Sequence, residues 1–368
     1  MNVIERVRHR GRTSLAPAPA RVVLDHEEVV VRRGERSGAD VIVAVHSTTL
    51  GPALGGLRMW AYGSSLEALG DALRLSAGMT YKAAAAGLDL GGGKGVIRAP
   101  AGSGSLDPSL REAMLLDFGE LVESLDGRYI TAEDVGTGTG DMTTIHSVTE
   151  HVTGLPPEDG GSGDPSPFTA MGVEAAIRAC VAYRRGAPDL DDLEIVVVGL
   201  GHVGSRLAVR LGAAGAKLTV ADADPAKREL AERLGARWVE PDAAMRARCD
   251  VLAPCALGGV VDEATIGSLG AGIICGAANN QLADERLAEK LAERGVIYAP
   301  DFIANAGGLV NVYRELHGLD EDWAREHAMD IESTMARILA AAEDRGVVPL
   351  VAAYELARER LERAAVRH

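Results

Sequence analysis

Apolar residues along this chain switch between two spacings, and the switches mark its elements. Val41 to His46 (VIVAVH) is a β-type run, Arg21 to Val31 reads as a strand before it, and Arg32 to Asp40 forms the hairpin loop between them. From Ser65 the spacing becomes helical: Leu66, Leu69, Leu73 and Ala77 recur on one face as far as Gly78, with Ser64 or Ser65 as the cap. Ala83 to Ala86 favour helix, and Gly91, Gly92 and Gly93 then read as a turn that ends any helix and lets backbone approach a ligand closely. Val96 and Ile97 read as a short strand, Ser109 to Ser124 as an amphipathic helix and Tyr129 to Ala132 as another strand, an α/β alternation. Gly154 to Pro167 is dense in Gly, Pro, Ser and acidic residues, the composition of a hinge.

Past the hinge a second unit opens with a helix over Met171 to Arg185. Leu193 to Val198 is a β-branched strand, followed by GLGHVG, a helix over Ser205 to Ala214 and a strand over Leu218 to Ala221. Val251 to Ala256, Gly272 to Cys275 and Val296 to Tyr298 read as later strands, and from about Ala340 the chain ends in helix. The pattern predicts an α/β protein of two domains, the second a doubly wound Rossmann unit over 165–344 and the first over 1–160.

The strand and helix around GLGHVG supply the context that a lone GxGxxG lacks. Gly199, Gly201 and Gly204 allow the tight turn, the approach of a pyrophosphate and close helix packing, and the following helix offers its first amides, from His202 and Val203 on, to phosphate. Asp222 closes the next strand, where its carboxylate can bind the adenosine ribose hydroxyls and repel a 2′-phosphate, which favours NAD over NADP. Asp224 reads as a solvated loop carboxylate.

The first unit carries the reactive groups. Lys82 and Lys94 stand twelve residues apart in the nearly uncharged stretch GMTYKAAAAGLDLGGGKGVI. A lysine on a glycine turn beside apolar residues loses hydration, so its pKa falls and it becomes a candidate acid/base group near neutral pH. Upstream, the Gly55-Gly56 pair of GPALGGLRMW brings backbone against a small ligand; downstream, Glu133 and Asp134 put a carboxylate at a strand end facing a cleft. Such a set can bind a zwitterion and move its protons.

Composition narrows the partners. A formal charge of −15 over 368 residues argues against a nucleic-acid surface, where a basic patch is expected. Cys180, Cys249, Cys255 and Cys275 show no CxxC and no His pair at ligand spacing, so no metal is expected and the thiols read as reduced and cytoplasmic. No apolar run approaches membrane length and no secretory h-region is seen. Residues 1 to 20, with Arg6, Arg8, Arg10 and Arg12, read as a loosely packed tail rather than a targeting or anion-binding arm.

From about His46 onward the chain resembles the Glu/Leu/Phe/Val dehydrogenase family, NAD(P)-dependent enzymes that deaminate L-amino acids, with the leucine and valine enzymes nearest. GPALGGLRMW, GMTYKAAAAGLDLGGGKGVI, RYITAEDVGT, GSGDPSPFTAMGV, GLGHVG, APCALGG, GAANNQLA and YAPDFIANAGGLVNV stand in the family's order. The resemblance implies that Lys82, with Asn305, holds the substrate carboxylate, that Lys94 activates the water that attacks an imine, and that Asp134 shuttles protons. It implies Thr169, Cys255, Ala256, Ala278 and Asn280 around the cofactor, a C-terminal helix over about 345–368 packed back on the first domain, and a homo-oligomer, dimer or octamer. Asn279 reads equally as a turn residue.

Relatives that use glutamate place a lysine just before the Gly-Gly pair, where this chain has Leu54, and an unpaired buried γ-carboxylate would cost several kcal/mol. With Ala132, and with Met335 and Ile338 placed by family spacing, Leu54 implies an aliphatic pocket for leucine, valine or isoleucine. Phenylalanine or another aromatic is the alternative, since Met is adaptable. A non-catalytic NAD-binding protein is disfavoured because both lysines, Asp134 and Asn305 are all present. A 2-hydroxy acid dehydrogenase would need a His and Arg pair, and His146 and His151 lack the context. Gly95 and the segment GTGTGDMTT after Asp134 depart from the family pattern, and as small residues are expected to loosen local structure.

Overall fold

Residues 25–100 and 106–366 are described by the computed structural model of the chain. The arginine-rich arm and the start of the expected Arg21 strand lie outside them. The first unit runs β1 (Glu28–Arg33), β2 (Asp40–Ser47), β3 (Ala53–Trp60), α1 (Ser65–Ala85), β4 (Gly91–Arg98), α2 (Pro108–Glu123), β5 (Tyr129–Glu133) and α3 (Thr139–His146). The second runs α4 (Ser166–Arg185), β6 (Glu194–Val198), α5 (His202–Ala213), β7 (Lys217–Ala221), α6 (Arg228–Arg233), β8 (Arg237–Trp238), α7 (Pro241–Arg246), β9 (Arg248–Pro254), β10 (Gly270–Ile274), α8 (Leu287–Glu293) and β11 (Ile297–Tyr298). Five helices close the chain: α9 (Asp301–Ala304), α10 (Gly307–Leu316), α11 (Glu321–Met329), α12 (Ile331–Arg345) and α13 (Pro349–Ala365).

The first sheet has the order β1-β2-β4-β3-β5, antiparallel across β1, β2 and β4 and parallel across β4, β3 and β5. The second is wholly parallel in the order β11-β10-β9-β6-β7-β8. Counted within its own unit, that is the doubly wound order in which the two halves diverge from the first strand, here β6. Two apolar clusters, one on each face, bury this sheet. Its strands are accordingly continuous Val/Ile/Leu runs.

Three expectations need correcting. The helix does not stop at Gly78: the alanine run continues it to Ala85, and Ser64 caps it by accepting from Glu67 N at 3.2 Å. Gly91, Gly92 and Gly93 form no turn but begin β4; the turn is at Gly87, φ 77°. Their small size serves packing. A Cβ on Gly92 would lie 2.1 Å from Thr80 N, because α1 rests its backbone on the strand, and a Cβ on Gly93 would lie 2.5 Å from the Tyr129 ring. Gly95 and the GTGTG segment do not loosen the fold either. The Phe118 ring occupies the space a Gly95 Cβ would need, at 2.4 Å, while Thr137 Oγ1 donates to Leu57 O and accepts from Asp134 N.

α13 returns to the first unit: Arg360 donates to Leu88 O at 2.7 Å, to Gly87 O at 3.0 Å and to the Asp89 carboxylate at 2.7 Å, gripping the end of α1.

Candidate active site

Strand alternation assembles the reactive face. Side chains two residues apart share a face of a sheet, and the register pairs Leu54 with Gly92 and Ile130, and Gly56 with Ala132. Leu54, Gly56 and Arg58 of β3, Gly92, Lys94 and Val96 of β4, and Ile130 and Ala132 of β5, followed by Asp134, therefore project to one side. Ala53, Leu57, Met59, Tyr129 and Ile97 take the other, where they pack on α2. Gly55 belongs to that second set by side-chain direction. A Cβ there would lie 1.7 Å from Gly93 O, and its carbonyl accepts from Tyr129 OH at 2.5 Å, so it allows the strands to close up beneath the site.

On the reactive face Lys94, 5% exposed, donates to Asp134 Oδ2 at 2.8 Å. The same oxygen accepts from Arg58 Nε at 2.9 Å; Arg58 also donates to Asp71, which in turn accepts from Tyr62 OH at 2.6 Å and from Arg74. Burial lowers the Lys94 pKa, and the Asp134 charge opposes the shift without cancelling it. Burial alone would raise the Asp134 carboxyl, but Lys94 and Arg58 together hold it below the ordinary range. The result is an ionised carboxylate beside an amine that gives up its proton readily.

Lys82 approaches from α1. Its ammonium donates to Asn305 Oδ1 at 2.7 Å, while Asn305 Nδ2 donates to Asn279 Oδ1 at 2.7 Å and to Ala277 O at 3.1 Å. Lys82 is thereby linked across the cleft to the edge of the second sheet. Desolvation lowers its pKa to about 8, with Asp301 resisting and Lys94 adding to the fall. Asn279 is thus a buttress of Asn305, while Asn280 sits exposed at φ 51°.

The glycine loop divides its labour as the dinucleotide motif requires. Gly199 turns at φ 100° against Ala256; a Cβ on Gly204 would lie 1.8 Å from Gly199 O and 3.1 Å from Cys255, so only glycine lets α5 close on the sheet. Around Gly201 a Cβ would meet nothing within 4 Å, and that open space leads to the first turn of α5, which begins at exposed His202, earlier than the sequence suggests, with Val203 partly buried behind it. Asp222 Oδ2 accepts from Leu200 N at 2.5 Å, fixing the carboxylate beside the loop. Thr169 donates to Pro165 O at 3.1 Å and borders Gly308, and Ala278 is buried just past β10. This cradle fits a nicotinamide dinucleotide.

Residues 19–151 match the Glu/Leu/Phe/Val dehydrogenase dimerisation domain, and residues 219–368 match the Glutamate/Leucine/Phenylalanine/Valine dehydrogenase domain. The chain belongs to the Glu/Leu/Phe/Val dehydrogenase family. It is 46% identical to the leucine dehydrogenase of Bacillus cereus over 92% of this chain and 91% of that one. It is 42% identical to the valine dehydrogenase of Streptomyces albus over 93% and 94% of the two chains. The crystal structure of L-tryptophan dehydrogenase from Nostoc punctiforme matches with a TM-score of 0.78 and 40% identity, covering 93% of this chain and 97% of that one.

Within this Glu/Leu/Phe/Val dehydrogenase, the apolar side of the cleft differs from expectation. Leu54, 2% exposed, packs in a cluster with Ala83, Leu309 and Val310, and with Met79, Ile130 and Val312 partly buried around it. Met335 and Ile338, expected as pocket walls, are fully buried in the core that α4 forms with Ile303, Ala304 and the end of α1, Ala84 and Ala85. Leu309, Val310 and Val312, on the helix just past Asn305, are apolar residues that α10 brings to the Leu54 cluster.

Arg58 and Asp71 were not singled out in the sequence. Arg58 lies two residues past Gly56 and so on the same strand face; Asp71 lies eleven residues, three helical turns, before Lys82 and so on the same helix stripe. Among the described residues no group of three His, Cys, Asp or Glu could hold a metal, and no helix is long and apolar enough to cross a membrane.

Proposed function

We propose that this enzyme catalyses the reversible NAD-dependent oxidative deamination of a branched-chain aliphatic L-amino acid, leucine, valine or isoleucine, to the 2-oxo acid and ammonia. The observation that carries this is the pairing of Lys94 with Asp134 on the same strand face as Leu54, Ile130 and Ala132, opposite Lys82 and Asn305. The identity to leucine and valine dehydrogenases supports the substrate class.

Lys82 and Asn305 hold the substrate carboxylate, which restores to Lys82 the counter-charge that burial removes. Gly199 to Gly204 would hold NAD, which would supply the acceptor for the Cα hydride, and Asp222 favours it over NADP. Lys94, as the free amine, takes a proton from water as that water adds to the imine carbon. Asp134 takes and returns protons at nitrogen as the carbinolamine collapses and ammonia leaves. Arg58 keeps Asp134 ionised between steps.

In this reading residues 1–160 form the substrate-binding and oligomerising domain, completed by the C-terminal helix, and 165–344 the dinucleotide domain. The enzyme is a cytoplasmic homo-oligomer, dimer or octamer, as the dimerisation-domain match and the free cysteines support. Phenylalanine or another aromatic is the second reading of the substrate, favoured by the adaptable Met79 beside Leu54.

The test is NADH formation with a panel of L-amino acids, read beside NADH consumption with the matching 2-oxo acids with and without ammonium. Turnover of leucine and valine, with ammonium required in reverse, is expected. A phenylalanine preference overturns the aliphatic reading, and silence across the panel overturns the activity.

A further inference from the structure

The hinge read from composition, Gly154 to Pro167, is tied at both ends by Glu315, while Asn311 Nδ2 donates to Ser162 Oγ at 2.9 Å and Arg314 to Ser162 O at 3.4 Å at one end only. Glu315, in the last turns of α10, accepts at Oε1 from Thr153 Oγ1 at 2.6 Å and Gly154 N at 3.0 Å, and at Oε2 from Ser162 N at 2.8 Å and Ser162 Oγ at 2.6 Å. Four donors converge on one carboxyl group, two from each end of the connecting loop. Charge-assisted bonds of this kind are about twice as strong as neutral ones.

Each end of the loop leads to a working part of the cleft. Thr153 N donates to Thr131 O at 2.9 Å, and Thr131 precedes Ala132 and Asp134 on the substrate side. Ser162 leads to Asp164, whose carboxylate pairs with Arg206 of α5 at 2.8 Å, one turn past the phosphate-binding end. α10 itself starts just past Asn305. Glu315 thus joins the helix following Asn305 to both ends of the loop, one end bonded to β5 just before Asp134 and the other leading through Asp164 to α5, and it touches none of the reacting groups.

We propose that Glu315 is a positioning residue: by clasping both ends of the connecting loop it sets how the substrate side closes on the cofactor side, and hence the distance over which hydride passes. The proposal rests on the deaminase reading above. Loss of the clasp leaves each half intact and lets their approach wander, and a misplacement of about 1 Å can cost about 10²-fold in rate.

The test compares Glu315→Ala and the milder Glu315→Gln, which keeps one acceptor oxygen, with wild type in the full-length enzyme. NADH affinity is read by fluorescence, turnover with L-leucine, and the deuterium isotope effect with leucine labelled at Cα. Expected are unchanged NADH affinity and site number, kcat lowered about 100-fold in Glu315→Ala and less in Glu315→Gln, and a larger isotope effect as hydride transfer becomes limiting. Unchanged kcat and isotope effect overturn the proposal, as does a kcat loss that merely tracks lost NADH sites at constant isotope effect. Were wild type silent with every amino acid, the deaminase reading would fail, and small-angle scattering would decide the clasp: a broader spread of sizes in Glu315→Ala supports it, and superimposable profiles overturn it.

Discussion

Lys94 Nζ lies 2.8 Å from Asp134 Oδ2, an oxygen that Arg58 also engages at 2.9 Å, while no donor among the described residues reaches Asp134 Oδ1. One oxygen of the carboxylate therefore fixes geometry and the other is open to the substrate nitrogen. In the proposed mechanism the amine and carboxylate do different work despite their contact, Lys94 acting unprotonated and Asp134 beginning ionised.

Lys94→Ala removes the group to which the proposed mechanism gives the activation of water. General acid–base groups contribute about 10²- to 10⁴-fold, so kcat is expected to fall by that factor while NADH affinity, held entirely by the second unit, stays within about twofold. Single-turnover kinetics with NAD and leucine check this. Retention of near wild-type turnover would transfer the role to another group.

The pH dependence follows from the signs of the shifts. Lys94 is needed as the free amine and burial lowers its pKa, so kcat for deamination rises with pH through a value below that of an ordinary lysine. Lys82 is needed as the ammonium and titrates at about 8 in the free enzyme, so KM for the amino acid rises above that pH. The limb is absent from kcat, because a bound carboxylate restores the Lys82 charge. Asp134→Asn removes the charge that raises the Lys94 pKa, so the rising limb of kcat, however diminished, moves to lower pH. A shift to higher pH would contradict the ion pair.

Gly56→Ala tests why glycine stands beside the ion pair. A Cβ there would lie 2.5 Å from Glu133 O and 2.8 Å from Asp134 Cβ, so the methyl displaces the carboxylate from Lys94. Overpacking of this kind costs about 1 to 3 kcal/mol, and kcat is expected to fall at least tenfold more than any change in NADH affinity. Thermal melts beside kinetics separate the two effects.

How far the sequence carried the fold depended on which force decided each element. The second unit was legible nearly strand by strand, because parallel strands buried on both faces are written as continuous apolar runs and the glycine loop sits between one of them and a helix. Lys82, Lys94 and Asp134 stood out because charge is scarce around them. β3 was not legible as a strand: GGLRMW carries two glycines, which weaken strand propensity, and the reason they are there is the tertiary contact of Gly55 with Gly93 and of Gly56 with Asp134. The triple glycine misled for the same reason, since its conformation is extended and its function is to let α1 rest on β4. The burial of Met335 and Ile338 against α4 was not legible from spacing, because which face α12 turns to α4 is settled only by packing.

Asp222→Ser tests cofactor choice. With Oδ2 fixed by Leu200 N at 2.5 Å, the carboxylate stands beside the loop, where the proposed function has it repel a 2′-phosphate. Its removal is expected to raise the ratio of kcat/KM for NADP over NAD at least tenfold, through better NADP use and poorer NAD use. An unchanged ratio would give the discriminating role to another group on this loop.

The substrate pocket is open to a direct comparison of two walls. Leu54 faces Leu309, Ile130 and Val312 on the reactive side, whereas Ile338 lies in the core around α4. Leu54→Ala and Leu309→Ala open space beside Ala132, so both are expected to lower kcat/KM for leucine and to raise the phenylalanine-to-leucine ratio, each step worth about 1 to 3 kcal/mol of discrimination. Ile338→Ala creates a cavity away from the cleft. It should lower the melting temperature, as buried truncations cost about 2 to 5 kcal/mol, yet leave the ratio unchanged. If Ile338→Ala shifts the ratio and Leu309→Ala does not, α12 rather than α10 forms the wall, and the pocket reaches toward the core instead of along β3.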